Sequence, residues 1–441
     1  MDKQKLFDKF VEWMGNFAQI RAVAALRDGF IMTTPFTIGG SIFLLLANLP
    51  IPGYPAFMAS IFGGDWAAAL NAVAGGTFSM LALIVVLTIT YKFVEAEDGD
   101  AIMAAVLAMS TFLILMPPDL TVDGVTAKNV IPRNWVGSNG VITAILVAFL
   151  TSKVFCYCVK NNITIKMPDA VPAGVSKAFT ALVPGTILFT IAAVLYGLCH
   201  YLGATTVPEM IFKIIQTPLQ GLSDTLLGGS VIVGLQPLLF WAGIHGPNIV
   251  GGVVSPLILA NALDNQTLLD MGQTLLMNPS AKIIAAQMND VFVKSGGCGM
   301  TLGLLIAGLI KCHSTQMKSI LKMSLVPGLF NINEPLIFGM PIVFNPYLLV
   351  PFIFTPLIAL FVTYAAIAFG FMPAFSAVQV PWTTPPVIAG LLLGGWQGAA
   401  VQLVNLVIAT LCYYPFLRVQ DKAMVQEEAA DAAASEADTA K

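Results

Sequence analysis

Between Met323 and Leu417 the chain runs for 95 residues with one formally charged side chain, Glu334. About 20 consecutive apolar residues cross a bilayer as a helix, so this stretch reads as membrane from end to end. An ionised carboxylate at that depth is costly unless it faces a protein interior or a watery cavity, which makes an intramembrane acid a functional-site hypothesis. Glu334 stands in Asn331-Ile332-Asn333-Glu334-Pro335, between an apolar run ending at Phe330 and another beginning at Leu336. Pro335 lacks an N–H and turns Glu334 away from helical φ/ψ. A broken helix or re-entrant piece is expected here, and such backbone survives in lipid only where protein or a cavity surrounds it.

The rest of the composition agrees. Of 441 residues, 57% are hydrophobic and 10% charged, against about 25% charged in soluble domains. The apolar segments supply about 8 to 11 crossings, so the expected fold class is an all-α polytopic membrane protein embedded in a lipid bilayer. A net charge of -3 with scattered Lys and Arg offers no basic stripe and argues against nucleic acid. The cysteines (Cys156, Cys158, Cys199, Cys298, Cys312, Cys412) lie in or at the ends of apolar runs, where free Cys behaves as a small hydrophobe. Cys199-His200, Cys312-His313 and Cys156-x-Cys158 match no zinc spacing, so neither metal nor cofactor is expected.

Taken in order, residues 1–26 place apolar groups at helical spacing with Lys3, Lys5, Lys9 and Arg21 between them, which predicts an amphipathic helix on the cytoplasmic surface. A membrane domain follows over 27–206. Its expected spans are Gly29–Pro50, Thr77–Phe93, Ala101–Met116, Val141–Val159 and Ala178–Leu202. The loops Ile51–Gly76 and Pro117–Gly140 should lie outside, and the Lys-rich stretch Lys160–Lys177 inside. Residues 207–227 read as an interfacial connector and 228–420 as a second membrane domain. The latter should open with one span, Gly228–Val254, holding His245 at a Gly- and Pro-rich point, and close with another, Val387–Tyr414. If Gly299–Cys312 crossed once, Lys311, Lys318 and Lys322 would fall outside against the positive-inside rule, which favours a re-entrant piece there. Arg418 and Lys422 put the C-terminus inside, and the Ala-rich, acidic 421–441 should be disordered.

A site for an uncharged polyhydroxylated ligand needs a carboxylate to accept from hydroxyls, amides or an imidazole to read others, and an aromatic face for the ring. Glu334, Asn331, Asn333, His245 and Trp382 supply that set. Two broken segments in one half of a transporter also point to a site near the midplane. Alternatively, a lone intramembrane acid suits a proton-coupled secondary transporter in which Glu334 carries the proton.

Four motifs, in order, carry a resemblance: Lys166-Met167-Pro168-Asp169-Ala170-Val171-Pro172, Gly243-Ile244-His245-Gly246, the run from Asn331 to Ile342, and Pro381-Trp382-Thr383. Over about Arg27 to Lys422 the chain resembles the membrane-embedded IIC component of the lactose, cellobiose and chitobiose phosphotransferase systems. The resemblance implies a bacterial inner-membrane sugar permease with ten transmembrane helices, re-entrant hairpins and amphipathic helices, whose N-terminal half forms a homodimer. It implies that the second half binds a β-linked disaccharide such as cellobiose or diacetylchitobiose. By the same resemblance Glu334 and His245 bind the sugar, Glu334 near the hydroxyl to be phosphorylated, with Asn333 and Trp382 as further contacts. The phosphoryl group would come from a cysteine of a separate soluble IIB protein, itself charged by a IIA protein.

Overall fold

The computed structural model describes residues 20–47, 53–122, 125–168, 171–203, 205–243, 245–340 and 342–439, and the side chain of Glu334 lies outside that description. Most of the amphipathic helix expected over 1–26 lies outside it too. The chain divides into two compact units, one holding 15–222 with 251–264 and the other 223–250 with 265–441. The connector expected over 207–227 thus joins the first unit as far as Leu222. Among the described residues six helices are long and apolar enough to cross a membrane, or seven if the bent pair Val207–Ser223 and Leu226–Trp241 counts as one.

The first unit contains α1 (Arg21–Ala47), α2 (Tyr54–Phe62), and α3 (Ala68–Thr77), which runs through a tight turn into α4 (Leu81–Glu95). Then come α5 (Ala101–Ile114), an antiparallel hairpin of β1 (Asp119–Val122) and β2 (Val125–Lys128), and α6 (Arg133–Val136). It closes with α7 (Val141–Lys160), α8 (Ala173–Gly203), α9 (Val207–Ile211) and α10 (Thr217–Ser223). Two expectations change here. The loop expected over Ile51–Gly76 holds α2 and α3, and α1 begins before the expected span, because Arg27 donates to Asp28 at 2.7 Å and the pair can sit side by side on one helix. Small residues let these helices approach closely, as membrane packing favours. Ala82, Ala104, Ala108, Ala144 and Ala148 are fully buried, and a Cβ on Gly29 would fall 2.8 Å from the Ile89 Cα.

Charges gather at one place in this unit. Glu97, in the turn between α4 and α5, accepts from Arg21 at the start of α1 and Lys160 at the end of α7. Next to it Lys177 of α8 pairs with Asp100 at 3.2 Å, and Asp100 caps α5 by accepting from the Met103 N–H. The turn Glu95–Asp100 therefore ties the ends of five helices.

The second unit begins with α11 (Leu226–Trp241), and here the single span expected over Gly228–Val254 is corrected. The chain breaks after Trp241, turns through Gly243 at φ 83, and restarts as α12 (Gly246–Asp270) with Pro247 in its first turn, a helix whose residues 251–264 belong to the first unit. Next come α13 (Thr301–Lys311), α14 (Thr315–Leu329), α15 (Glu334–Gly339), α16 (Pro346–Ala368) and α17 (Ile388–Thr439). At 11 residues α13 is about 16 Å long, half of a hydrocarbon core of roughly 30 Å. The last span is also interrupted: Gly394 and Gly395 leave helical φ/ψ. Gln402, beyond the break, accepts from the Val387 and Gly390 N–H groups at 2.7 and 2.6 Å. Those are orphan donors of the short first piece, which no helical carbonyl can reach.

The tail expected to be disordered from Asp421 is helical over its described residues, and two of its acids have partners. Asp421, almost fully buried, accepts from the His313 and Ser314 N–H groups at 2.8 and 2.9 Å. Glu428 accepts from the Thr315 and Gln316 N–H groups and from the Ser314 hydroxyl. Two carboxylates thus cap the N-terminus of α14, where unpaired N–H groups and the helix dipole favour negative charge.

Replacing Glu428 by Ala should lower the unfolding midpoint, because it removes acceptors from three donors at the start of α14. Thermal unfolding of purified protein reads this, and an unchanged midpoint would contradict the capping role. Glu97 gives a pH dependence. The Lys160 hydrogen bond first, and Arg21 after it, hold its carboxyl below the ordinary 4.5. A folded value below the unfolded one contributes stability that is present above pH 4.5 and lost as pH falls through the lowered value. Melting curves of wild type and Glu97→Gln should therefore differ at neutral pH and converge in acid; a constant gap would sink the assignment.

Candidate functional site

The polar residues around Glu334 sit where α14 stops. Asn331 takes φ 62, a left-handed value that Asn tolerates, and lets the chain turn between Leu329 and Glu334. Glu334 is then the first residue of α15, with Pro335 in the first turn, where a missing N–H costs nothing. The break expected from the sequence is present, and it places the Glu334 backbone at a helix N-terminus, the end that favours anionic and hydroxyl-acceptor groups.

The two amides that precede Glu334 bond to backbone of distant loops. The Asn331 Nδ2 donates to the carbonyls of Trp382 and Thr384 at 2.7 and 2.9 Å, and its Oδ1 accepts from the Gly296 N–H at 2.7 Å. Asn333, 5% exposed, donates to the Cys298 carbonyl at 2.9 Å. One side chain therefore ties three backbone segments. The structure thereby brings together Asn331, Asn333 and the Trp382 loop, and leaves the Trp382 side chain 57% exposed beside them.

His245 belongs to the other break. It is the N-cap of α12, its Nδ1 accepting from the Asn248 N–H at 3.3 Å, and its exposed ring lies 4.8 Å from the Phe240 ring. Phe240 shares one apolar core with Leu336, Ile337, Met340 and Phe352, so the two breaks rest on common packing. With Nδ1 accepting, the proton of a neutral ring is on Nε2, which makes that nitrogen a donor.

Sequence reasoning missed a second polar group in the poorly patterned stretch from 261 to 297. Lys294, its side chain 18% exposed, pairs with Asp290 at 3.1 Å. The Asn289 amide donates to Asp290 at 2.7 Å, and Gln236 of α11 donates to the Asn289 Oδ1 at 2.7 Å. Asn289 and Asp290 lie in a wide helical turn, Met288–Phe292, of the kind frequent near functional sites. The i,i+4 spacing of Asp290 and Lys294 was the one visible signal. A cavity of about 520 Å³ also opens in this unit, between Gln316, Phe344, Tyr347, Gln420 and Glu428. It contains none of the residues expected to bind ligand.

Known proteins match this chain closely. The family described as "Phosphotransferase system, EIIC" matches residues 27–356. The lichenan permease IIC component of Bacillus subtilis is 37% identical over 96% of this chain and 95% of its own length. The cellobiose-specific EIIC component of Geobacillus stearothermophilus is 36% identical over 97% and 96%. Among solved structures, the transporter ChbC, the IIC component of the N,N'-diacetylchitobiose-specific phosphotransferase system, superposes with a TM-score of 0.89. It is 38% identical and the match covers 94% of this chain and 96% of that one.

Because Asn331 donates to two carbonyls, Asn331→Asp should destabilise at least as much as Asn331→Ala, since it sets a carboxylate acceptor against two carbonyl acceptors. Thermal unfolding of the three proteins tests this, and a wild-type-like Asp variant would show that the amide is not the tie described.

Proposed function

The chain belongs to the membrane-embedded EIIC family of the phosphotransferase system, and from that premise we propose that its second unit binds a β-linked disaccharide at the Glu334 and His245 breaks. The observation that carries this is the pair of interrupted helices, one placing Glu334 at a helix start and the other presenting an exposed His245 ring, with the Trp382 indole exposed beside the first. Family membership sets aside the proton-coupled alternative: sugar entry is coupled to phosphoryl transfer. The names of two relatives and the solved neighbour point to a β-linked sugar, cellobiose, lichenan fragments or diacetylchitobiose.

In this reading Glu334 accepts hydrogen bonds from sugar hydroxyls, His245 donates through Nε2, and Trp382 offers a flat face to a pyranose ring. Asn331 and Asn333, expected as ligand contacts, contribute by fixing the backbone that carries Glu334. The sugar hydroxyl attacks phosphorus on the phosphocysteine of the IIB partner; the S–P bond breaks, the thiolate leaves, and the hydroxyl proton passes to a nearby base, for which Glu334 is the candidate. A soluble IIA protein recharges IIB. The first unit, with the exposed apolar residues Leu182, Val194, Leu198 and Tyr201 of α8, offers a surface for a second copy of the chain. In this reading both termini face the cytoplasm. Asp421 joins the loop holding Lys311 and His313 to the end of the chain that carries Arg418 and Lys422, so these basic residues share one side, as the positive-inside rule asks.

The test is sugar affinity of purified protein for cellobiose, diacetylchitobiose and lactose, in wild type and Glu334→Gln. Charge-assisted hydrogen bonds are about twice as strong as neutral ones, so Gln should weaken binding by roughly 1.5 to 3 kcal/mol, about 10- to 150-fold. Unchanged affinity in the folded variant, or no binding of any of these sugars, would refute the proposal.

A further inference from the structure

Outside the residues assigned to the sugar, the most constrained backbone in the second unit is Ser295-Gly296-Gly297-Cys298-Gly299-Met300. Four of the five residues from Gly296 to Met300 take left-handed φ: Gly296 at 81, Gly297 at 96, Gly299 at 84 and Met300 at 55. The loop has no room for side chains. A Cβ on Gly299 would lie 2.2 Å from a ring carbon of Phe352, and one on Gly297 would lie 2.6 Å from the Asn333 Cγ, 2.7 Å from its Nδ2 and 2.9 Å from the Asn331 carbonyl oxygen. Gly297 therefore lets the loop lie directly against the amide of Asn333, one residue before Glu334, and against the backbone carbonyl of Asn331.

The loop is held from its far side as well. The Thr301 hydroxyl donates to the Gly296 carbonyl, and the fully buried Tyr413 donates its phenol to the Gly299 carbonyl at 2.5 Å. On its near side, the Gly296 N–H donates to Asn331 and the Cys298 carbonyl accepts from Asn333. Asn331 passes the constraint on to the carbonyls of Trp382 and Thr384. The loop, the Glu334 break and the Trp382 loop form one hydrogen-bonded body.

From this we infer that the Gly296–Met300 loop is the template that positions the sugar site, and that Gly297, Asn331 and Asn333 are positioning residues, none of which touches the sugar. The inference rests on the sugar-site reading above. It explains why three glycines stand between Ser295 and Met300: a Cβ at Gly297 would press on Asn333 and move the start of α15, and with it Glu334, relative to Trp382. A site held by such a supporting layer loses function when that layer shifts, even if every ligand-binding group remains.

The experiment measures affinity by calorimetry for the disaccharide that the wild type binds, and for its monodeoxy analogues, using full-length purified protein. Gly297→Ala and Asn333→Ser are compared with wild type, and thermal unfolding reports whether each is folded. The expected result is that folded Gly297→Ala binds about tenfold more weakly, and that Asn333→Ser weakens the parent sugar and every analogue by one common factor. Gly297→Ala with wild-type affinity would overturn the inference. So would a loss in Asn333→Ser that disappears for one deoxy analogue, since that pattern marks a direct hydrogen bond to the missing hydroxyl. If Gly297→Ala does not fold, the analogue profile of Asn333→Ser decides alone. A wild type that binds no disaccharide refutes the functional reading itself, an outcome distinct from either of these.

Discussion

Hydrocarbon offers no partner to a backbone N–H or C=O, and each one left unpaired there costs several kcal/mol. Everything distinctive in the second unit follows from how that constraint is met where helices stop. After Trp241 the His245 ring caps the next helix; after Leu329 the Asn331 and Asn333 amides bind carbonyls and an N–H of distant loops. Beside the break at Gly394 and Gly395, Gln402 supplies the acceptor for two orphan donors. At the first and third interruptions a side chain replaces the lost helical partner, and at the second the asparagine amides tie the break to backbone far away in sequence.

The same devices make a binding site. A helix that starts inside the protein presents N–H groups and a positive dipole end, and placing a carboxylate there stabilises its charge. Breaking two helices on one apolar core, with Phe240 beneath His245 and Leu336 and Ile337 in the turn after Glu334, fixes two polar centres on common packing. Rigid support of this kind matters for a permease that must hold a sugar for an incoming phosphoryl group, because misplacement of reacting atoms by even about 1 Å can cost roughly a hundredfold in rate.

Much of this was legible in the sequence. Glu334 stood out because it is the one charge in 95 apolar residues, and Pro335 and Gly243 announced the breaks through local stereochemistry. The polytopic helical class followed from composition, and the charges after Gly299–Cys312 argued against a simple crossing by that run, which forms the 11-residue α13. What stayed hidden depends on contacts between distant residues. The partners of Asn331 are 35, 51 and 53 positions away, so no local pattern separates an amide that reads a ligand from one that ties backbone. The tail looked structureless because acids in an Ala-rich run have no local partner, whereas Asp421 and Glu428 find theirs at the start of α14 more than 100 residues earlier. Hydropathy alone reads Gly228–Val254 as one apolar span, and only the Gly- and Pro-rich point at Gly243 to Pro247 marks the break within it.

The account stands on the claim that the two breaks hold the sugar while the asparagines hold the breaks. A structure of this chain bound to diacetylchitobiose or cellobiose, at a resolution that places hydroxyl oxygens, tests it most directly. The account predicts sugar hydroxyls within hydrogen-bond distance of Glu334 and His245, a pyranose ring over Trp382, and Asn331 and Asn333 still bonded to the backbone of residues 296, 298, 382 and 384. A sugar lodged elsewhere, or one whose hydroxyls have displaced those carbonyls from the asparagine amides, would contradict it.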